Sequence, residues 1–90
     1  MLGKVAVSFK VMPLDESKDL LAIEKGLKSD LSKNYVLGNS RIEELAFGIK
    51  VLKLIVIMSD EGGLVEDVEQ KIRSFQDVGE VEVEEVSLIS

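Results

Sequence analysis

Ninety residues with 46% apolar side chains, 31% charged side chains and one proline describe a single folded domain with a small core, and exclude a disordered tail. The chain has no Cys and no His, which removes disulfides, thiolate nucleophiles, histidine acid–base catalysis and Cys/His zinc sites together. The net charge of −6 is uneven: residues 1–53 hold nine Lys/Arg against seven Asp/Glu, residues 54–90 two against ten, a balance that opposes direct nucleic-acid binding.

The opening MLGKVAVSFKVMP lacks the charged start, long apolar stretch and cleavage site of a secretory signal. The longest apolar run, LIVIM, is five residues against the roughly 20 of a membrane span. The chain is therefore expected to be soluble, cytoplasmic and one domain over residues 1–90.

Lys4 to Met12 alternate, with Val5, Val7, Phe9 and Val11 on one side and Ala6, Ser8 and Lys10 on the other. This predicts a half-buried strand ended by Pro13. Asp15 or Ser17 is expected to cap the following helix, in which Leu20, Ile23, Leu27 and Leu31 line one face. Gly26 weakens that helix by about 1 kcal/mol relative to Ala. Turn chemistry in Asn34, Gly38 and Asn39 places the helix end near Lys33 and a second strand at Arg41 to Ala46.

Phe47-Gly48 is expected to turn into a third strand, Ile49 to Met58. That strand is apolar on both faces apart from Lys50 and Lys53, as a central strand should be. SDEGG reads as a turn. Val65, Val68, Ile72 and Phe75 then mark a second helix, Leu64 to Phe75, with acidic residues near its start and Lys71 and Arg73 near its end. VEVEEVSLI reads as a last strand whose alternation breaks at Glu84-Glu85, where a β-bulge would restore the phase.

The order β-α-β-β-α-β is that of an α+β, ferredoxin-like sandwich. It predicts a four-stranded antiparallel sheet in the order 4-1-3-2 with both helices on one face. The two apolar-rich strands, first and third, then become the central ones.

No catalytic residue, cofactor site or metal site is predicted. The carboxylate pairs Asp60-Glu61 and Glu84-Glu85 have no nucleophile or base beside them and read as solvated charges. A base-stacking RNA surface would need aromatics on the central strands, but Phe9 lies on the apolar side and the third strand has none. That leaves AFGIK, Ala46 to Lys50. Residue chemistry allows two readings: Phe47 folds back as packing, or it is held out on the hairpin tip to anchor a protein partner.

The string AFGIKVLKLIVIMSDEGG, preceded by an acidic pair and followed by an amphipathic helix and VGEVEVEEVSLI, resembles the archaeal elongation factor 1-beta family. So does the opening KVAVSFKVMP, and the likeness spans essentially the whole chain. The resemblance implies a guanine-nucleotide exchange factor, not an enzyme with covalent chemistry. It would act in translation elongation on elongation factor 1-alpha, the GTPase that delivers aminoacyl-tRNA to the ribosome, binding and stabilising its nucleotide-free form without direct nucleic-acid or membrane contact.

The resemblance favours Phe47 as a contact. It implies a partner-binding set of Ala46, Phe47, Gly48, Ile49 and Lys50 at one end of the domain and Leu88, Ile89 and Ser90 at the other. The free protein is expected to be a monomer. Two departures stand out: eukaryotic relatives carry a penultimate Lys where this chain has Ile89, and the family usually has a capping Thr where this chain has Leu64. The alternative reading is a regulatory or ligand-sensing module that homodimerises through its open sheet face, using Ile55 and Ile57.

Overall fold

The computed structural model describes residues 3–89. Strand β1 (Lys4–Pro13) is followed by α1 (Leu20–Leu31), β2 (Val36–Glu44), a single 3-10 turn at Ala46–Gly48, β3 (Lys50–Ser59), α2 (Leu64–Arg73) and β4 (Val78–Leu88). The strands form one antiparallel sheet in the order β2-β3-β1-β4. This is the expected 4-1-3-2 order counted from the opposite edge, and the fold is ferredoxin-like. No helix among the described residues is long and apolar enough to cross a membrane.

The core follows the strand alternation. Val5, Val7, Phe9 and Val11 of β1 and Leu52, Leu54, Val56 and Met58 of β3 are buried with Leu20, Ile23, Leu27 and Leu31 of α1 and Val68 and Ile72 of α2. Each helix thus buries the apolar stripe that its 3.6-residue spacing defines.

Several boundaries differ from the sequence reading. Asp19, not Asp15 or Ser17, caps α1, its carboxylate accepting a hydrogen bond from the Leu21 N–H at 3.0 Å. Asp15 instead folds a local turn, accepting from the Ser17 N–H at 2.9 Å and from the Ser17 hydroxyl. Such short-range bonds compete with capping, so an Asp near a helix start is not by itself the cap. Strand β2 begins at Val36, five residues before the expected Arg41, and stops at Glu44 rather than Ala46.

Gly38 and Asn39, read as turn residues, lie within β2 where the register shifts between Leu37 and Ser40. A Cβ at Gly38 would lie 2.9 Å from Ile55 Cγ2. The glycine therefore serves close strand approach at a bulge. Helix α1 stops at Leu31 and α2 at Arg73, short of Lys33 and Phe75. The start of α2 rests on Gly63, which offers no side-chain cap.

The expected bulge in β4 is present. Ser8 pairs with Glu85 and Phe9 with Val83, so Glu84 is the extra residue. Its carboxylate accepts a hydrogen bond from Lys53 Nζ on β3 at 2.6 Å. This contact offsets a repulsive row, because Arg41, Lys53 and Lys10 pair side by side across β2, β3 and β1 and like charges directly opposite one another destabilise a sheet. Glu43 and Glu82 serve Arg41 and Lys10 at 2.8 and 3.0 Å. Lys53 is thus engaged within the chain.

A second register shift, between Met12 and Pro13, leaves Gly79 close against β1. A Cβ at Gly79 would stand 2.7 Å from the Pro13 carbonyl oxygen and 2.9 Å from Leu14 Cα. These are backbone atoms and cannot swing aside. Gly79→Ala is expected to lower stability by about 1–3 kcal/mol, the usual cost of overpacking, measured by denaturant titration.

Arg73 ties the end of α2 to the start of β4. It donates to Glu80 at 2.8 Å, to Glu69 at 3.1 Å and to the Val81 carbonyl at 3.1 Å. The hydrogen bond from Arg73, then the Val81 N–H and the guanidinium charge, hold the Glu80 carboxyl below the usual Glu range. A carboxylate depressed in the folded state stabilises above its unfolded pKa, and that contribution is lost as pH falls through the folded pKa. The wild type is therefore expected to lose melting temperature below the usual Glu pKa of 4.5 more steeply than Glu80→Gln, with both scanned in parallel between neutral and acidic pH.

Candidate functional site

The hairpin joining β2 to β3 builds the site from the backbone outward. The Leu45 N–H donates to the Ile49 carbonyl at 2.6 Å, and the Ile49 N–H reaches the Ala46 carbonyl at 3.4 Å. Between them Phe47 (φ 63°, ψ 27°) and Gly48 (φ 75°) are both left-handed. Two successive left-handed residues match the right-handed twist of a hairpin, and Asn, Asp and Gly are the residues normally found there. For Gly48 the conformation carries no steric penalty. For Phe47 it costs roughly 1–2 kcal/mol, because Cβ crowds the backbone carbonyl.

No packing offsets that cost. Phe47 is 100% exposed, so the ring does not fold back over the sheet edge. Around it Ala46, Gly48, Ile49 and Lys50 are also exposed. The five residues singled out by sequence at this end therefore form one continuous accessible tip.

The other candidate residues lie at the opposite pole. Leu52, near the tip, pairs with Val11, whereas Leu88 pairs with Val5, whose other partner is Met58 at the far end of β3. Ten residues of β3 span roughly 33 Å, within a molecule whose longest dimension is 44 Å. Leu88 and Ile89 are exposed, and the Ile89 N–H is fixed to the Lys4 carbonyl at 2.9 Å. Ser90 lies outside the described residues.

Most exposed large apolar side chains lie toward these two poles, Val83 in mid-sheet being apart from both. Leu14, Leu21 and Leu45 accompany Phe47 and Ile49 at the tip, and Val36 and Val86 accompany Leu88 and Ile89 at the far end. Sequence reading passed over these neighbours, although Leu21 carried a signal: it is apolar but falls off the Leu20, Ile23, Leu27, Leu31 face of α1. Val86 was masked by the bulge. Its partner Val7 is buried, yet β4 is an edge strand and Val86 remains half uncovered.

Among the described residues no group of three or more carboxylates gathers at metal-binding distance. The candidate site is a pair of exposed apolar surfaces toward the two ends of the sheet. The model of the EF-1 guanine nucleotide exchange domain matches residues 6–89. The chain belongs to that exchange-domain family.

Relatives agree over nearly full length. The chain is 42% identical over 88 residues to elongation factor 1-beta of Aeropyrum pernix, covering 96% of this chain and 97% of that one. It is 34% identical to elongation factor 1-beta of Thermoplasma acidophilum, covering 98% and 100%, and 38% identical to that of Halobacterium salinarum, covering 94% and 97%. Membership of the exchange-domain family supports a nucleotide-exchange role in elongation, in a family that is not one of covalent catalysts.

Proposed function

We propose that this exchange domain, acting as a unit over residues 1–90, promotes replacement of GDP by GTP on elongation factor 1-alpha by binding and stabilising the nucleotide-free GTPase. The observation that carries the reading is Phe47, strained and wholly exposed. A side chain held in a costly conformation without internal contacts has its compensation elsewhere, and such outliers concentrate where a protein engages a ligand. Large aromatic side chains are the commonest anchors of protein interfaces.

Two poles separated by the length of a strand suit a molecule that touches two domains of its partner at once. Phe47, with Ala46, Gly48, Ile49 and Lys50, docks in an apolar pocket of one domain. Leu88 and Ile89, with Ser90, approach the domain that holds the nucleotide. Ile89 has no charge, so disturbance of the partner's Mg²⁺ and phosphate site proceeds without a penultimate lysine, by apolar wedging. The domain acts in the cytoplasm and is a monomer when free.

The energetics require no bond-making. If the exchange domain binds the empty GTPase more tightly than the GDP complex by 1–3 kcal/mol, linkage requires GDP to bind the domain-bound GTPase about 5–150-fold more weakly. The test is release of a fluorescent GDP from purified elongation factor 1-alpha, with and without this protein. Acceleration that saturates with concentration is the expected result, and unchanged release at saturating protein rejects the proposal.

The alternative of pairing through the open sheet face has less to support it. Ile55 and Ile57 are half-buried there, beside the charged row of Arg41, Lys53 and Lys10. Light scattering at micromolar concentration separates the two readings, because a stable dimer would bury that face.

A further inference from the structure

The tip adjoins an open groove of about 800 Å³ between the start of β3 and the loop that leads into α1. Ile49 and Lys50 line it from the tip side. Leu21 and the carboxyl-bearing residues Asp15, Glu16 and Asp19 line it from the α1 side. Leu21 is 65% exposed and Ile49 55%, so apolar side chains from both walls are left uncovered beside the same opening.

Area shows why the ring needs such a neighbour. One Phe buries about 150–250 Å², whereas a specific interface removes about 800 Å² from each partner. The rest of the tip contact has to come from adjoining surface, and this groove is continuous with Gly48.

Charge indicates what enters it. Two of the three carboxylates are held by their own chain, Asp15 by Ser17 and Asp19 by the Leu21 N–H. The loop's cation, Lys18, is drawn to Asp77 at 3.6 Å. Glu16 is exposed and forms no ion pair among the described residues. The α1 wall is therefore negative, with one carboxylate free to meet an incoming cation.

We propose that this groove is a second docking element, occupied by an extended segment of the partner GTPase that places an apolar side chain between Leu21 and Ile49 and a Lys or Arg against Glu16. The proposal rests on the exchange reading and extends it from a single ring to a two-part contact. Phe47 supplies the anchor, and the groove supplies area and charge selectivity.

The experiment compares wild type, Leu21→Ala, Glu16→Lys and Phe47→Ala in GDP release and in fluorescence-anisotropy binding to nucleotide-free elongation factor 1-alpha, with melting curves for each. Leu21→Ala and Glu16→Lys are expected to weaken binding by about 5–10-fold each, less than the loss of a hot-spot anchor. Glu16→Lys should also flatten or reverse the weakening of binding by added salt. Wild-type affinity in both groove variants, with Phe47→Ala still defective, overturns the groove and leaves the exchange reading standing. Wild type that neither binds nor accelerates release overturns both. A homodimer in light scattering that Leu21→Ala dissociates assigns the groove to a second copy of this chain and also overturns the proposal.

Discussion

Phe47→Asn is expected to leave the free domain as stable as the parent, or more stable by about 1 kcal/mol, while binding to the GTPase falls by roughly 30-fold or more. The two signs have separate causes. Asn accepts the left-handed conformation that Phe47 (φ 63°) adopts at a cost of roughly 1–2 kcal/mol, so the substitution relieves strain. It also removes the aromatic anchor, and hot-spot truncations cost about 2 kcal/mol or more, equivalent to at least about 30-fold in affinity.

Phe47→Ala separates the two causes. It deletes the ring but keeps a Cβ in the left-handed region, so stability should stay near that of the parent while exchange is still lost. Thermal denaturation and GDP release on the same preparations supply both readouts. A fall of several kcal/mol in stability for either variant would mean that the ring packs within its own chain.

Phe9→Ala is expected to give the opposite profile. Phe9 is fully buried on central strand β1, and truncating such a ring costs about 3–5 kcal/mol in transfer free energy and residual cavity. Small domains have about 5–15 kcal/mol in total, and each kcal/mol moves the melting temperature by roughly 4–8 °C at this size. The variant should therefore melt far below the parent. At a temperature where it is still folded it should retain exchange, because Phe9 faces the helices and lies at neither pole. Loss of exchange in fully folded Phe9→Ala would mean that core packing, not surface contact, sets activity.

These two phenylalanines show how far the sequence could be read. Phe9 sits in phase with Val5, Val7 and Val11, and that alternation alone predicts its burial. Phe47 sits in no periodic pattern, so its neighbours did not say whether the ring lies under the turn or outside it. Family likeness favoured contact, and the left-handed backbone with complete exposure removed the packing alternative. Partner engagement itself is the subject of the binding and exchange tests.

Local chemistry was ambiguous where it had more than one outlet. Asp15, Ser17 and Asp19 are all competent caps, and only the path of the chain out of β1 selects Asp19. Gly38 and Asn39 carry the composition of a turn, yet they lie in an edge strand, where a Cβ at Gly38 would crowd Ile55 on the neighbouring strand. The bulge at Glu84 was legible because it shifts the phase of an otherwise regular alternation. Its use in carrying a carboxylate to Lys53 was not, since that contact joins residues on non-adjacent strands.

The sequence by itself determined the elements, their order, the central strands and the family, because each rests on short-range periodicity or on a string of residues that can be compared directly. Tertiary structure decided which polar residues cap, pair or remain free, and which apolar residues stay uncovered at the two poles. Those outcomes depend on distances between segments far apart in the chain. Phe47 and Leu88 stand at opposite ends of the molecule because of how four strands pair, and no local pattern encodes that separation.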